Sequence, residues 1–324
     1  MSELTKEKIY RNELIKAGAT GNNNLERIRS LQNGGGGGTP KEEIKEISNL
    51  PYYEGVAKAA AASIGDKIYV FGGKTSGNTV SNMIYRFDTK TKNTEYVDTF
   101  PSSVGLYSEA AAAVGNNVYL FGGRKKVGSS DSANNDIYKY SATNNITSKL
   151  SISSYQKNYM CAVAVGGKIY LLAPTETHRF ELYVFDVETE TVESSGSAVY
   201  LETTTAILFE TKAVAVGGYI YYFYEDKISK LDVENLTLST LEITLPEYLK
   251  YEAITAIGGD IYLFGGETNS VYKFSTTTET IEKLSLEFNE MESAATAVGS
   301  NIYLFGGQWS GAKTNSIFEL KVQL

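Results

Sequence analysis

The chain has very few of the residues that build covalent or metal-bound frameworks: one cysteine (Cys161), one histidine (His178), one tryptophan (Trp309) and five prolines among 324 residues. A lone thiol closes no intramolecular disulfide, so stability must come from burial and backbone pairing. A zinc centre needs several His or Cys ligands, and the composition does not supply them. A Ser-His-Asp arrangement would have to use His178, and no serine stands between the glycines of a nucleophile elbow. Positive charge is also short. With 30 Lys and Arg against 38 Asp and Glu the formal net charge is −8, which disfavours binding to a phosphate backbone, and nucleic acid is not an expected partner. No apolar run reaches membrane-spanning length, and Met1 to Ser30 is polar with mixed charges, unlike a secretory signal peptide. Neither membrane insertion nor ordinary secretion is expected.

What is present is aromatic, small and regular. Hydrophobic residues make up 42% of the chain and charged ones 21%, which supports a packed core. The 24 Tyr and 30 Gly set against few prolines point to many short strands and turns. A single unit recurs six times: a run of small residues, a glycine turn, an aromatic strand, often Gly-Gly, then a second aromatic strand. In the first copy Ala59 to Ala62 and Gly65 precede Ile68-Tyr69-Val70-Phe71-Gly72-Gly73, and Ile84-Tyr85-Arg86-Phe87 follows. In the second, Ala110 to Ala113 and Gly115 precede Val118-Tyr119-Leu120-Phe121-Gly122-Gly123, then Ile137-Tyr138-Lys139-Tyr140. Later copies place Tyr170, Tyr221, Tyr262 and Tyr303 in the first aromatic strand, and Tyr183, Ser229, Tyr272 and Phe318 where Tyr85 stands in the second. Alternation sends Tyr69 and Phe71 to one side of their strand and Ile68 and Val70 to the other, so both faces of each sheet should be covered.

This pattern resembles the kelch repeat over roughly residues 41 to 324, in which each unit is a four-stranded blade and the double glycine closes the second strand. The resemblance implies an all-β, six-bladed kelch-type β-propeller with four strands per blade. Two copies depart from it: blade 3 has Ala173-Pro174 and blade 4 has Tyr224-Glu225 in place of Gly-Gly, so those turns should differ in backbone shape. The chain stops just after the third strand of blade 6, Ile317 to Leu320. The segment Ile44 to Pro51 has the same place before an alanine run as Thr94 to Pro101, so it should close the ring as the missing outer strand.

Ahead of the propeller, residues 1 to 33 carry two short helical patterns, with Ile9, Leu14 and Ile15 in one and Leu25, Ile28 and Leu31 in the other. Gly34 to Gly38 gives a flexible joint, with residues 34 to 40 as a hinge and 41 to 324 as the propeller. The layout looks like the attachment peptides ahead of receptor-binding or fibre domains in phage tails. It implies a docking segment that takes a structural protein partner, on a virion or extracellular particle; the other reading of the segment is a frayed tail, and the other location is cytoplasmic.

Loops that follow the double glycines and loops that enter the innermost strands share one face. Lys74 to Asn82, Arg124 to Asn135 and Gln308 to Asn315 are long and belong to neighbouring blades, so Lys74, Arg124, Lys125, Lys126, Trp309 and Lys313 should form one basic and aromatic wall, with Tyr107 and Tyr251 nearer the channel. Such a cluster on an acidic protein fits a peptide, a cell-surface glycan or protein, or an anionic polymer, and equally a solvated loop cluster. Glu109, Glu210, Glu252 and Glu292 should ring the channel mouth as solvated carboxylates; a cation site is the alternative, without the spacing of a calcium loop. No metal or cofactor is expected. Galactose oxidase-like chemistry, found among kelch relatives, needs two histidine ligands. Six-bladed kelch proteins also include sialic acid mutarotases, where Arg and Glu side chains act on a sugar. Only Arg124 and Arg179 of the six arginines lie in loops of the candidate face. The expectation is therefore a non-enzymatic binding propeller held on a larger assembly through residues 1 to 33. A sugar mutarotase or an isolated intracellular scaffold is the alternative.

Overall fold

The computed structural model describes residues 42–51, 55–101, 105–127, 130–152, 161–174, 180–195, 211–246 and 252–323. The docking residues Ile9, Leu14, Ile15, Leu25, Ile28 and Leu31, the glycine hinge, His178, Arg179, Glu210 and Tyr251 all lie outside the described residues. Among the described residues no helix is long and apolar enough to cross a membrane.

The small-residue runs become the innermost strands of six four-stranded antiparallel sheets: Ala60–Ile64, Ala110–Val114, Cys161–Val165, Lys212–Val216, Glu252–Ile257 and Ala294–Val298. Each inner strand contacts the next in chain order, and Ala294–Val298 returns to contact Ala60–Ile64, which completes a circuit of blades 1 to 6. Alanine and valine dominate these strands because six backbones converge there. The last sheet holds Ala294–Val298, Asn301–Phe305 and Ser316–Lys321, and its outer member is Ile44–Asn49. That strand runs antiparallel to the chain's last one, from Ile44 opposite Leu320 to Asn49 opposite Ser316, with a bulge between Glu46 and Ser48.

Each apolar cluster lies at a seam between two blades, so a blade has no core of its own. At the seam of blades 1 and 2, Tyr69, Phe71 and Ile84 meet Val118, Leu120, Tyr138 and Tyr140. Ile68, Val70, Tyr85 and Phe87 face the other way, onto Tyr303, Phe305 and Ile317 of blade 6. In blades 1, 2, 3 and 5 an aromatic ring from the third strand inserts between two rings of the preceding blade. Tyr140 lies 5.1 Å from Tyr69 and 5.7 Å from Phe71; Phe185 lies 5.1 Å from Tyr119 and 5.4 Å from Phe121. Phe274 does the same with Tyr221 and Phe223, and Leu231 and Leu320 fill the place in blades 4 and 6. Ser229 stands where other blades have an aromatic, and Tyr222 opposite it supplies the missing volume where they have Leu or Val. The Ser229 hydroxyl then bonds Tyr224 Oη at 2.9 Å.

Below the sheets, the turn between third and fourth strands carries a left-handed non-glycine residue in blades 1 to 5: Lys92, Asn145, Glu190, Leu236 and Glu279. Three of these reach the third strand of the preceding blade as ions: Lys92 to Glu319 at 2.7 Å, Glu190 to Lys139 at 2.6 Å and Glu279 to Lys230 at 3.0 Å. Leu236 packs against the apolar cluster between blades 3 and 4, as does Val184, so apolar packing stands there in place of an ion pair. Burial opposes ionisation of Glu319, but hydrogen bonds from Lys92 and Tyr303 outweigh it and hold its carboxyl below the usual range. Lys92→Met takes the ammonium from a buried carboxylate that keeps the Tyr303 and Asn301 bonds, and should cost about 2 kcal/mol. Lys139→Met breaks a more exposed pair and should cost about 0.5 kcal/mol. Urea denaturation of both variants checks the ratio; equal costs would show that the buried member does not decide the pair's worth.

Candidate functional site

The long loops on the upper face fold into added strands. Val56–Ala57 pairs with Lys74–Thr75 over blade 1. Leu106–Tyr107 pairs with Arg124–Val127, which pairs in turn with Ser130–Ala133, over blade 2. Gln308–Trp309 pairs with Ala312–Lys313 over blade 6. The segments entering the inner strands and those leaving the double glycines are thus hydrogen-bonded to one another. In blade 4 the chain turns back directly after Tyr224, with Glu225 at φ 52°, and in blade 5 a single 3-10 turn, Gly266–Thr268, suffices. Blade 3 extends its second strand through Ala173 and Pro174, opposite Glu181 and Phe180.

The double glycine has a specific task here. Gly72 and Gly73 have φ of 56° and 95°, a region in which side chains are strained. A methyl group on Gly72 would collide with the Leu106 carbonyl oxygen of the next blade. Freed of side chains, the turn comes close enough for Gly73 N–H to donate to Leu106 O at 2.7 Å, and Gly307 N–H donates likewise to Val56 O at 2.7 Å. Blades 6, 1 and 2 are therefore joined along their upper rim by backbone bonds. A second arc runs nearer the axis. Glu292, Lys58 and Ser108 all adopt left-handed conformations, and Lys58 N–H donates to Glu292 O at 2.9 Å while Ser108 N–H donates to Lys58 O at 2.8 Å.

Side chains converge on this frame. Lys74 Nζ lies 5.0 Å from the centre of the Tyr107 ring and 3.7 Å from Asp131. The Arg124 guanidinium donates to the Asp131 carbonyl at 3.3 Å. The Asp131 carboxyl is held below its ordinary range, first by a hydrogen bond from the Tyr107 hydroxyl, which outweighs the opposing desolvation, and then by the nearby charges of Lys74, Lys126 and Arg124. Burial pushes the Tyr107 hydroxyl up, and Asp131 reinforces that. Lys125 and Lys149 both approach Asp136, at 3.9 and 2.8 Å. Lys74, Tyr107, Arg124 and Lys126 are thus brought together around one carboxylate. Trp309 and Lys313 stand half-buried in their own hairpin over blade 6.

Asp131 and Asp136 stand among the cations expected from the sequence, so the platform is less basic than its lysines alone imply. The Gly-Ser pair between two short polar runs is the signal for a hairpin, and that register sets Lys126 opposite Asp131. The expected ring of solvated carboxylates also needs correction. Glu292 forms a 3.0 Å ion pair with Lys58, its side chain only 8% exposed. Glu109 is 7% exposed, and neither carboxyl oxygen has a hydrogen-bond partner. Among the described residues no group of three or more His, Cys, Asp and Glu is placed to hold a metal ion. The Cys161 thiol is buried and pushed up to about 12 by desolvation, so it does not serve as a nucleophile at neutral pH.

Comparison with known proteins adds two findings. Residues 45–197 match the KLHDC2/KLHL20/DRC7 Kelch-repeats domain, a stretch that spans the first three blades. The solved structure titled "Structure of YjhT" is similar with a TM-score of 0.67 at 15% sequence identity, covering 85% of this chain and 97% of that one. A comparison with curated proteins gives no match. The matched repeats and the shared architecture both support the kelch family, and at this identity the second shows the fold alone.

Proposed function

We propose that this kelch-type propeller is a non-enzymatic binding module that engages a protein partner through the platform over blades 6, 1 and 2. The observation that carries the reading is that, among the described residues, the added strands lie on three contiguous blades and are locked to one another by backbone bonds. A surface fixed in this way loses little conformational freedom on binding. Kelch domains generally mediate protein–protein interactions, which agrees with this assignment. Fold alone does not settle function, so the proposal rests on the platform. Trp309 and Tyr107 supply aromatic area, and Lys74, Arg124, Lys125, Lys126 and Lys313 supply charges that steer an approaching partner.

The finer reading adds that residues 1 to 33 dock the propeller onto a larger assembly, such as a phage tail or tail-like particle whose target is a host surface. The apolar positions of those residues and the glycine run after them are its support. Cross-linking of the full chain with its co-purifying partner tests both parts. Amine cross-links should fall on Lys74, Lys125, Lys126 and Lys313 for the target, in preference to Lys92, Lys139 and Lys230 on the opposite face. Links to a second, structural protein should fall within residues 1 to 33. Reversing Arg124, Lys125 and Lys126 to Glu should weaken target binding about tenfold. Undiminished binding, or links clustered on the opposite face, would reject the platform. The enzymatic alternative, a sialic acid mutarotase, would show itself as a free monomer that accelerates mutarotation of sialic acid.

A further inference from the structure

We propose that Glu109 is a proton-operated latch: as an uncharged acid it lets the upper rim between blades 1 and 2 close over it, and its ionisation opens that rim. Glu109 precedes the inner strand Ala110–Val114 and lies directly under the turn that joins the two blades. A methyl group built on Gly72 would come within 2.8 Å of its Oε1, and one on Gly123 within 2.9 Å of its backbone. The Gly73 amide bond to Leu106 and the Ser108 amide bond to Lys58 flank it on either side.

Both carboxyl oxygens are enclosed without a donor. Among the described residues, the ionisable groups on the elements around it are engaged elsewhere. Lys58 pairs with Glu292, Lys74 and Tyr107 with Asp131, and Arg124 with the Asp131 carbonyl. An anion in this place would be shielded from solvent and, among the described residues, would have no counter-charge, which is among the costliest arrangements in a protein interior. Burial accordingly pushes the Glu109 carboxyl up to about 8, with only its own backbone N–H acting in the other direction. An acid is not required at this position in every blade: it is Ala59 in blade 1 and Ser293 in blade 6, while blade 5 has Glu252.

The direction of the response follows from linkage. A group whose value is raised in the closed state favours closure fully below its ordinary range, and that contribution drains away as pH rises toward about 8. One proton is released per opening, so the open fraction should grow about tenfold per pH unit across that window and level off above it. Because Tyr107 and Lys74 stand on the two sides of this rim, opening would also separate the side chains that meet over Asp131.

Hydrogen exchange of the full chain read by mass spectrometry, with rates divided by intrinsic rates at each pH, tests the latch at the amides of Gly73 and Ser108. In the native protein their protection should fall about tenfold per unit between pH 5 and about 8. In Glu109→Gln it should not vary with pH. Glu109→Ser and Glu109→Ala, which borrow the residues of blades 6 and 1, should give the same flat profile and stand in for the glutamine variant if that fails to fold. A native profile without pH dependence, or one that persists in the variants, would overturn the latch.

Discussion

Deletion of residues 42–51 from the full chain should lower the thermal midpoint by about 10 °C and drive the protein into dimers or larger species. The strand contributes the whole outer edge of blade 6, with Ile44 and Ile47 packed on adjoining seams and Leu50 buried to 1% exposure. Burial of an aliphatic side chain is worth about 1.5–3 kcal/mol, so the three together account for about 5 kcal/mol once partial exposure is allowed for. Loss of the strand also uncovers the ladder of Ser316–Lys321, a template for any other strand in solution. Differential scanning calorimetry and light scattering on the deleted and intact chains read the two effects. An unchanged midpoint with a monomeric product would mean that blade 6 is held without its outer strand.

Phe87→Ala should destabilise the protein by about 3–5 kcal/mol. Phe87 is fully buried between Tyr303, at 5.7 Å, and Phe305, at 5.8 Å, so its removal leaves a void where the first and last blades meet. Phe185→Ala opens a matching void between blades 2 and 3, next to Tyr119 and Phe121, and serves as the comparison. Near-equal costs in urea denaturation would show the closing seam to be as firmly built as an internal one. A much smaller cost for Phe87 would show that seam to be the weak point at which unfolding begins. The exposed Tyr96→Ala, at 56% exposure, supplies the baseline and should change stability by less than about 0.5 kcal/mol.

Much of the architecture could be read from residue order because the repeat obeys local rules. Alanine runs mark crowded inner strands, alternation sends Tyr69 and Ile68 to opposite seams, and the likeness of Ile44 to Pro51 with Thr94 to Pro101 points to a shared outer place. The altered turns of blades 3 and 4 were foreseeable on the same ground, since neither Ala173-Pro174 nor Tyr224-Glu225 reproduces two successive glycines. The chemistry of the upper face was harder to read because its partners come from different blades. Lys74 meets Asp131, 57 positions further on, and Lys58 meets Glu292 across the point where the ring begins and ends. Glu109 was the hardest. A glutamate before an alanine run reads as a solvated charge, and only the closeness of Gly72 from another blade reveals the enclosure. Tyr222 and Ser229 are an intermediate case: the serine is conspicuous by position, while the compensating tyrosine is visible only once the strands are paired.

The left-handed turn residues under the sheets carry an implication for how such a chain can grow. Lys92 faces a glutamate, whereas Glu190 and Glu279 face lysines, so polarity at the junction of the chain's two ends is inverted relative to the two internal ionic junctions. A tandem copy of the first module inserted behind the second would bring Lys92 against Lys139, and a copy of the third inserted behind itself would bring Glu190 against Val184. Enlargement by simple duplication is therefore penalised, and the modules, alike as they look, are not interchangeable.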